Sequence, residues 1–174
     1  MLTPFFNQHF PLSDSRPQDG PGILTQSDYA LVRAHYLGLD EAARRHRFGV
    51  ALSDELLEQW VRTLPLQNDA VLGFFDQGEL IGLLYLVPDS QDKRRGEAAL
   101  SVKPSAQGKG VGKQLTQLAM RVAVHAELTL VDIHYQRSND AMTRITLKLP
   151  GTRTVWRDEV HVIVDIPQWL EQQQ

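Results

Sequence analysis

The sequence Gln-Gly-Lys-Gly-Val-Gly at residues 107–112 constrains the fold more than any other stretch. It follows an alternating apolar stretch at 97–103 and precedes an amphipathic helical pattern at 111–127. This pattern predicts a strand, a glycine-rich loop and a helix whose first N–H groups lack helical partners. Those N–H groups and the positive end of the helix dipole favour an anion, and a phosphate suits such a loop best.

Spacing excludes two common phosphate loops. A Walker loop ends in Gly-Lys-Ser/Thr, whereas Gly112-Lys113 is followed by Gln114. The dinucleotide fingerprint, counted from Gly108, requires its third glycine where the chain has Lys113. The spacing that remains is Gln-x-x-Gly-x-Gly. A turn that only joins strand to helix, with no ligand, is the alternative interpretation.

Composition indicates an ordinary globular protein. The 174 residues are 42% hydrophobic and 22% charged, and they suit one domain with a sizeable core. No apolar run approaches the roughly 20 residues that span a bilayer. The N-terminus lacks a basic segment followed by an apolar core, so we expect no signal peptide, no membrane association and a cytoplasmic location.

Charge and residue counts exclude several partners. The absence of cysteine rules out thiolate ligands and a cysteine nucleophile, and no two of the six histidines have the close helical spacing of a zinc site. We therefore expect no metal. The net charge of −3 argues against nucleic acid as a partner. The basic runs at 44–47 and 93–95 are interpreted as solvated surface.

Periodicity predicts an α/β (α+β) mixed sheet with helices on both faces. Before the glycine loop we expect a strand at 22–25, helices at 28–37, 40–48 and 53–64, and strands at 70–76, 79–87 and 97–103. After it we expect a helix at 111–127, a strand at 129–134, a helix at 139–149, strands at 152–156 and 160–165, and a terminal helical turn. Strands 97–103 and 129–134 should be parallel, because one helix connects them. Residues 1–20 are expected to form an extension, and 21–174 a single domain.

Two motifs together resemble the acetyl-CoA-binding elements of the GNAT family of N-acetyltransferases. They are the Gln-x-x-Gly-x-Gly loop and Asn139-x-x-Met142-x-x-Ile145 followed by Lys148-Leu149. The resemblance covers about residues 20–165 and implies the acyl-CoA N-acyltransferase fold, acetyl-CoA as cosubstrate and an amine as acceptor. Residues 28–57 loosely resemble the acceptor side of the bacterial protein-lysine acetyltransferase branch. Dimers are common in the family, so a homodimer is also expected.

The resemblance implies a set of cofactor-binding residues. Backbone groups of Val102 and Lys103 are expected at the pantetheine amides, with one N–H at the oxyanion, and Lys109 and Lys113 are expected to add charge at the pyrophosphate. The complete predicted set is Val102, Lys103, Gln107, Gly108, Lys109, Gly110, Val111, Gly112, Lys113, Asn139 and Met142.

Attack of an amine on a thioester requires a base, because a lysine-type amine has a pKa near ~10.4. Glu97 is the predicted base: several relatives place a glutamate there, and the small apolar residues of its strand could raise its pKa by desolvation. A solvated carboxylate at the strand end is the alternative. Tyr135 is the second predicted catalytic residue, with His134 and Ser101 as further proton carriers.

Two departures from the family pattern affect the expected activity. Thr146 stands where many members have a tyrosine as general acid, and Pro150-Gly151 replaces the usual Gly-Phe. Three functions therefore remain. The first is an N-acetyltransferase in which a primary amine of a small molecule or a protein lysine attacks directly in a ternary complex. The second is a regulatory module that binds CoA or acetyl-CoA with little or no turnover. The third is an interaction domain without the cofactor.

Overall fold

The computed structural model describes residues 17–66 and 69–174. The strands are β1 (Gly20–Leu24), β2 (Ala70–Asp76), β3 (Glu79–Pro88), β4 (Arg95–Val102), β5 (Leu130–Gln136), β6 (Gly151–Trp156) and β7 (Glu159–Asp165). The helices are α1 (Tyr29–Leu37), α2 (Glu41–Phe48), α3 (Asp54–Arg62), α4 (Val111–His125), α5 (Asp140–Thr146) and α6 (Ile166–Glu171). Short 3-10 turns precede α1 and follow β4. None of these described helices is long and apolar enough to cross a membrane.

The strands form one mixed sheet in the order β1-β2-β3-β4-β5-β7-β6. Strands β4 and β5 are parallel and α4 connects them, whereas every other neighbouring pair is antiparallel. The predicted mixed sheet, the Gln77-Gly78 hairpin turn and the parallel crossover are therefore confirmed. Since only β4 and β5 run parallel, their junction is the one place in this sheet where two adjacent strands end at the same edge.

Helices cover both faces of the sheet, each over its own apolar cluster. One cluster joins α4 and α6 to the sheet, with Leu115, Met120 and Trp169 among its buried members. The other joins α1, α2 and α3 to β1, β2 and β3, with Tyr36 and Val61 fully buried. We call these the α4 face and the α1–α3 face. Alternation along β4 directs Leu100 and Val102 to the α4 face and Ser101 to the other.

Capping residues set several helix ends, and two differ from expectation. Asp40 caps α2 by accepting from the N–H of Ala43 at 2.8 Å, and Ser53 caps α3, which begins where the sequence predicts. The first helical segment begins earlier than predicted, at Gln26, because Asp28 bonds back to the N–H of Thr25. Helix α5 ends at Thr146 rather than near residue 149, since a residue before proline avoids helical geometry.

The N-terminal boundary also differs in detail. Residues 1–16 of the predicted extension lie outside the described residues. Gln18 already accepts a hydrogen bond from the N–H of Gly78, and Asp19 accepts one from the N–H of Gln77. Strand β1 begins at Gly20. Residues 18–20 are thus tied to the β2–β3 hairpin, and a division at residue 20 stays a prediction.

The basic run at 44–47 is only partly the solvated surface that we expected. The Arg44 guanidinium donates to the carbonyls of Leu37, Leu39 and Leu52, so it fastens the ends of α1 and the loop after α2. The Arg47 guanidinium stacks over the rings of Phe48 and Trp60. Arg45 and His46 match the expectation, since both are exposed, and Arg45 pairs with Glu41 in its own helix.

Gly82 lets α4 approach β3 closely, and its replacement tests this contact. A Cβ at Gly82 would lie 2.5 Å from Val111 Cγ1, so Gly82→Ala should lower the free energy of unfolding by about 1–3 kcal/mol. Urea denaturation measures the change. With Val111→Ala in the background the penalty should shrink, because the clashing methyl is gone. An unchanged urea midpoint for Gly82→Ala alone would contradict the close packing.

Candidate functional site

The glycine loop has the geometry of an anion site. Gly108 and Gly110 adopt positive φ angles of 76° and 81°, a region that side chains disfavour, and α4 begins at the next residue. The bond from the N–H of Gln114 to Gly110 O closes the first helical turn, leaving the N–H groups of Val111, Gly112 and Lys113 without helical acceptors. The strand–loop–helix prediction is confirmed.

Gly112 places the start of α4 against two other elements. A Cβ there would lie 3.1 Å from Ile145 Cδ1 of α5 and 3.1 Å from Leu100 Cδ2 of β4. The loop, β4 and α5 therefore meet around one point. A ligand bound at the N-terminus of α4 has β4 and α5 as its immediate neighbours.

Strands β4 and β5 pair over only three residues. The pairs are Arg95 with Leu130, Gly96 with Val131 and Glu97 with Asp132, although β4 continues to Val102 and β5 to Gln136. The gap between residues 98–102 and 133–136 is called the wedge. Backbone groups that β4 directs toward β5 have no strand partner within it.

Val102 offers its backbone to the wedge at the glycine-loop end, and alternation gives Ala98 and Leu100 the same direction. The N–H of Lys103 donates to Ile81 O of β3 at 2.9 Å, and the direction of such groups alternates along an antiparallel strand. Val102 therefore points its groups away from β3, and its carbonyl accepts from Gln107 Nε2 at 3.4 Å. The expected oxyanion donor can be the N–H of Val102, whereas that of Lys103 is already engaged. The Lys103 N–H is bonded to β3, so the expectation that it donates to the cofactor is wrong.

A cavity of about 730 Å³ occupies this region. It extends from the glycine loop and α5 through the wedge to Ala43 and His46 of α2. The predicted residues that line it are Val102, Gln107, Gly108, Gly110, Val111, Gly112, Lys113, Asn139 and Met142. Its size lies within the usual range of small-molecule sites. The predicted residues Glu97, Lys103, Lys109 and Tyr135 are not part of its lining.

Asn139 has the structural role that the sequence suggests. Its side chain accepts from the N–H of Met142 at 3.1 Å and so caps α5. Asn139 and Met142 both line the cavity. The cap thereby fixes the edge of α5 that faces the glycine loop.

Glu97 lacks the desolvation that the sequence led us to expect. Its side chain is exposed, and its strand neighbour Asp132 is bound on one side by Arg95 and on the other by His161. Partial burial opposes ionisation of Asp132, but the hydrogen bonds from Arg95 and His161 outweigh it and lower the pKa of Asp132. The apex of the wedge is therefore a charged cluster of Arg95, Asp132 and His161, with Glu97 exposed beside it.

Tyr135 is buried away from the cavity, against the prediction of a catalytic role. Its side chain is 5% exposed and its hydroxyl lies 2.8 Å from Thr146 Oγ1. Because the single proton of Thr146 goes to Met142 O at 2.9 Å, Tyr135 donates and Thr146 accepts. Both hydroxyls are thus satisfied inside the α4 face, and Tyr135 serves packing.

Ser101 and His35 form a pair that the sequence reasoning missed in part. His35 Nε2 lies 2.9 Å from Ser101 Oγ, and His35 Nδ1 lies 3.3 Å from Leu80 O. Burial lowers the pKa of His35 to about 4, which the nearby Lys103 ammonium reinforces. The sequence does contain a signal for the burial of His35. Its spacing from Val32 and Tyr36 places all three residues on the same, buried face of α1.

Two histidines that are distant in sequence also meet. His134 and His161 are opposite residues of β5 and β7, and their rings stack with centroids 4.1 Å apart. With Asp132 they offer ligand atoms within 4.8 Å of one another, a group that could hold a metal ion. Helical spacing alone did not reveal this cross-strand cluster, and the expectation of no metal stays a prediction.

Comparison with known proteins identifies the family. The profile of the Acetyltransferase (GNAT) family matches residues 40–149, which include the wedge, the glycine loop and α5. The chain belongs to the GNAT acetyltransferase family. A search of curated proteins by sequence finds no match. The sequence-based assignment to N-acetyltransferases is confirmed at the level of the family.

Solved GNAT structures share the fold. The GNAT domain of S. lividans PAT superposes with a TM-score of 0.68 at 17% identity, covering 83% of this chain and 89% of that one. The yncA protein of Salmonella typhimurium, solved with its cofactor acetyl-CoA, gives 0.68 at 17% identity over 86% and 95%. A spermidine N-acetyltransferase from Vibrio cholerae, in complex with CoA and spermine, gives 0.67 at 19% identity over 88% and 98%. At these identities the likeness establishes the fold.

The buried Tyr135–Thr146 hydrogen bond predicts a structural rather than catalytic phenotype. Tyr135→Phe removes a neutral buried hydrogen bond, so the free energy of unfolding should fall by about 1 kcal/mol while kcat stays within the wild-type range. Thr146→Val is the matched variant and should cost more, because it leaves the Tyr135 hydroxyl buried without an acceptor. A large fall in kcat for Tyr135→Phe at unchanged stability would restore its catalytic role.

Burial of neutral His35 predicts a pH dependence of stability. Its pKa is about 4 in the folded protein against an ordinary 6.5, so the unfolded chain binds the proton first as pH falls. The contribution is present above pH 6.5 and is lost toward pH 4, amounting to about 2 kcal/mol between pH 7 and 5. Urea unfolding at both pH values measures it. His35→Gln should be less sensitive to this change, and an equal pH response of both proteins would refute it.

Proposed function

We propose that the protein transfers the acetyl group of acetyl-CoA to a primary amine, of a small molecule or a protein lysine, by direct attack in a ternary complex. The observation that carries the proposal is the cavity that joins the glycine loop to the wedge and to α2. One end is built for a phosphate and the other opens toward the α1–α3 face. The two substrates thus have separate approaches to one point on β4.

The glycine loop would hold the pyrophosphate. The N–H groups at the start of α4 are aimed into the cavity, and the N-terminus of the helix carries its positive dipole end. No acidic residue stands in the first turn of α4 to compete with the anion. Lys113 lines the cavity and adds a full charge, whereas Lys109 does not reach the lining.

Chemistry would take place where β4 borders the wedge. The acceptor nitrogen attacks the thioester carbonyl carbon, a C–N bond forms, and the oxygen becomes an oxyanion. The N–H of Val102 is the available donor for that oxyanion. When the C–S bond breaks, the CoA thiolate leaves, with a pKa of roughly 8.5 by analogy with cysteine. The amine proton must go to a base on the acceptor side.

Structural neighbours support the two substrate classes. The Salmonella protein contains acetyl-CoA, and the Vibrio enzyme contains CoA together with the polyamine spermine. The loose resemblance of residues 28–57 to the bacterial protein-lysine acetyltransferase branch supports a protein-lysine acceptor as the other class. A homodimer, implied by the family resemblance, stays a prediction that light scattering after size-exclusion chromatography measures.

A CoA-binding regulatory module is the second candidate. Thr146 stands at the family's tyrosine position and is buried, with its oxygen bonded to Tyr135 and to Met142 O. No hydroxyl from α5 is then available at that position to protonate the thiolate. This module would share the glycine loop and the wedge with the enzyme but would lack turnover.

Binding and turnover assays separate the two candidates. Thermal shift with acetyl-CoA, CoA and ATP should show stabilisation by both CoA species and none by ATP. Release of free CoA is then measured over a panel of polyamines, aminoglycosides, amino acids and lysine peptides. Release with at least one amine supports the transferase, and binding without release supports the regulatory module. If neither acetyl-CoA nor CoA raises the melting temperature of the protein, the cofactor assignment is wrong.

The two loop lysines provide a matched test of the cofactor site. Lys113→Ala should raise the Kd for CoA about tenfold, since a charge-assisted bond to a phosphate contributes more than about 1.4 kcal/mol. Lys109→Ala, two residues before the helix begins to turn, should leave Kd within about twofold. Isothermal titration at low and high salt measures both. Equal effects of the two substitutions would contradict the placement of the pyrophosphate.

A further inference from the structure

The Ser101–His35 pair has the geometry of a nucleophile or proton carrier next to a base. His35 Nε2 and Ser101 Oγ are 2.9 Å apart, and both side chains are buried, at 1% and 6% exposure. The base is held in turn by Leu80 O, 3.3 Å from Nδ1. A hydroxyl, an imidazole and an orienting group within hydrogen-bonding reach form the general signature of an activated hydroxyl.

The orienting contact determines which ring nitrogen carries the proton. A carbonyl oxygen only accepts hydrogen bonds, so the Leu80 carbonyl requires the proton on Nδ1. The neutral imidazole then presents an unprotonated Nε2 to Ser101, and the serine hydroxyl donates to it. Ser101 Oγ keeps lone pairs for a further donor, and the buried Tyr36 hydroxyl beside it is one candidate in addition to a donor from the cavity.

Ser101 is also in the right place. It lines the cavity beside Val102, whose N–H is the candidate oxyanion donor. Glu97 lies four residues earlier on the same strand, about 13 Å away, and its side chain is outside the lining. Tyr135 and Thr146 are buried together inside the α4 face. Among the β4 residues that line the cavity, Ser101 alone has a side chain that can accept a proton.

We propose that Ser101, backed by His35, carries the proton from the acceptor amine to the leaving thiolate. This inference rests on the acetyl transfer proposed above and names the residues that move its proton. Ser101 touches the substrate and is the catalytic residue. His35 acts through Ser101.

The proton balance closes within the pair. As the C–N bond forms, the ammonium proton of the tetrahedral intermediate passes to Ser101 Oγ while the serine proton passes to His35 Nε2. As the C–S bond breaks, Ser101 gives a proton to the CoA thiolate and recovers its own from His35. The amide and free CoA are the products, and the pair ends as it began.

The surroundings of His35 favour brief protonation of the imidazole over a stable imidazolium ion. The Lys103 ammonium disfavours a second positive charge on His35, and the Tyr36 hydroxyl interacts with both Ser101 and Arg47. A thiolate with a pKa of roughly 8.5 takes the proton far more readily than a buried imidazole retains it. The pair thus supplies the acid function that the threonine on α5 does not.

The test uses the acceptor that the amine panel identifies. Ser101→Ala and His35→Gln should each lower kcat about 100-fold, with KM for acetyl-CoA and Kd for CoA within about twofold of wild type. Because the residues act as a unit, the double variant should be no slower than either single one. Glutamine keeps a hydrogen-bond acceptor for Ser101 but cannot take its proton. Ser90→Ala, at an exposed serine in the loop after β3, is the control and should retain full activity.

Three kinds of result would contradict the proposed proton transfer through Ser101 and His35. If Glu97→Gln loses about 100-fold in kcat while Ser101→Ala does not, Glu97 is the base. If the losses of the two single variants multiply in the double variant, the residues do not share a proton path. A protein that binds CoA but releases none with any amine overturns the transfer and the pair together, and one that does not bind CoA overturns the proposed function itself.

A spectroscopic readout needs no acceptor. In ¹⁵N NMR of the folded wild type, His35 should show a protonated Nδ1 and an unprotonated Nε2 at pH 7. The Nε2 resonance should shift in Ser101→Ala, which removes its donor. A proton found on Nε2 would make His35 the donor to Ser101 and would overturn the relay, even if the variants are too unstable for kinetics.

Discussion

The early end of β4–β5 pairing is the constraint on which the site depends. After Glu97 and Asp132 the strands form no further pairs, so β4 is left with backbone groups that a sheet would normally satisfy. A buried N–H or C=O without a partner costs roughly 1–3 kcal/mol. Gln107 satisfies one of them by donating to Val102 O. The glutamine of the loop motif therefore joins the glycine loop to the open strand.

Alternation along β4 separates two tasks on one strand. Leu100 and Val102 face α4, where Gly112 brings the helix start within contact of Leu100. Ser101 faces α1 and meets His35. Because successive side chains point to opposite faces, the residues packed beside the glycine loop and the serine bonded to His35 lie one position apart on β4. Helix α4 and helix α1 therefore each contact β4 from their own side of the sheet.

Local signals predicted most of the fold. The helix start at Ser53, the hairpin turn at Gln77-Gly78 and the glycine loop are determined within a few residues, and they were found from the sequence. Contacts between distant segments were not. The His35–Ser101 bond joins residues 66 apart, and the stacking of His134 on His161 depends on strand register. Exposure of Glu97 depends on what covers the strand end, which alternation alone does not specify.

The substitution at the family's tyrosine position now has a physical account. Thr146 is too short to reach the cavity from the buried side of α5, and its oxygen is occupied by Tyr135 and Met142 O. An acid at that position would have to break two satisfied buried hydrogen bonds, each contributing about 1 kcal/mol. Two properties of Thr146 therefore disfavour protonation of the thiolate from α5: its side chain is short, and its hydroxyl is already hydrogen-bonded. On the opposite face of β4, the Ser101 hydroxyl and the neutral His35 imidazole already lie within hydrogen-bonding distance.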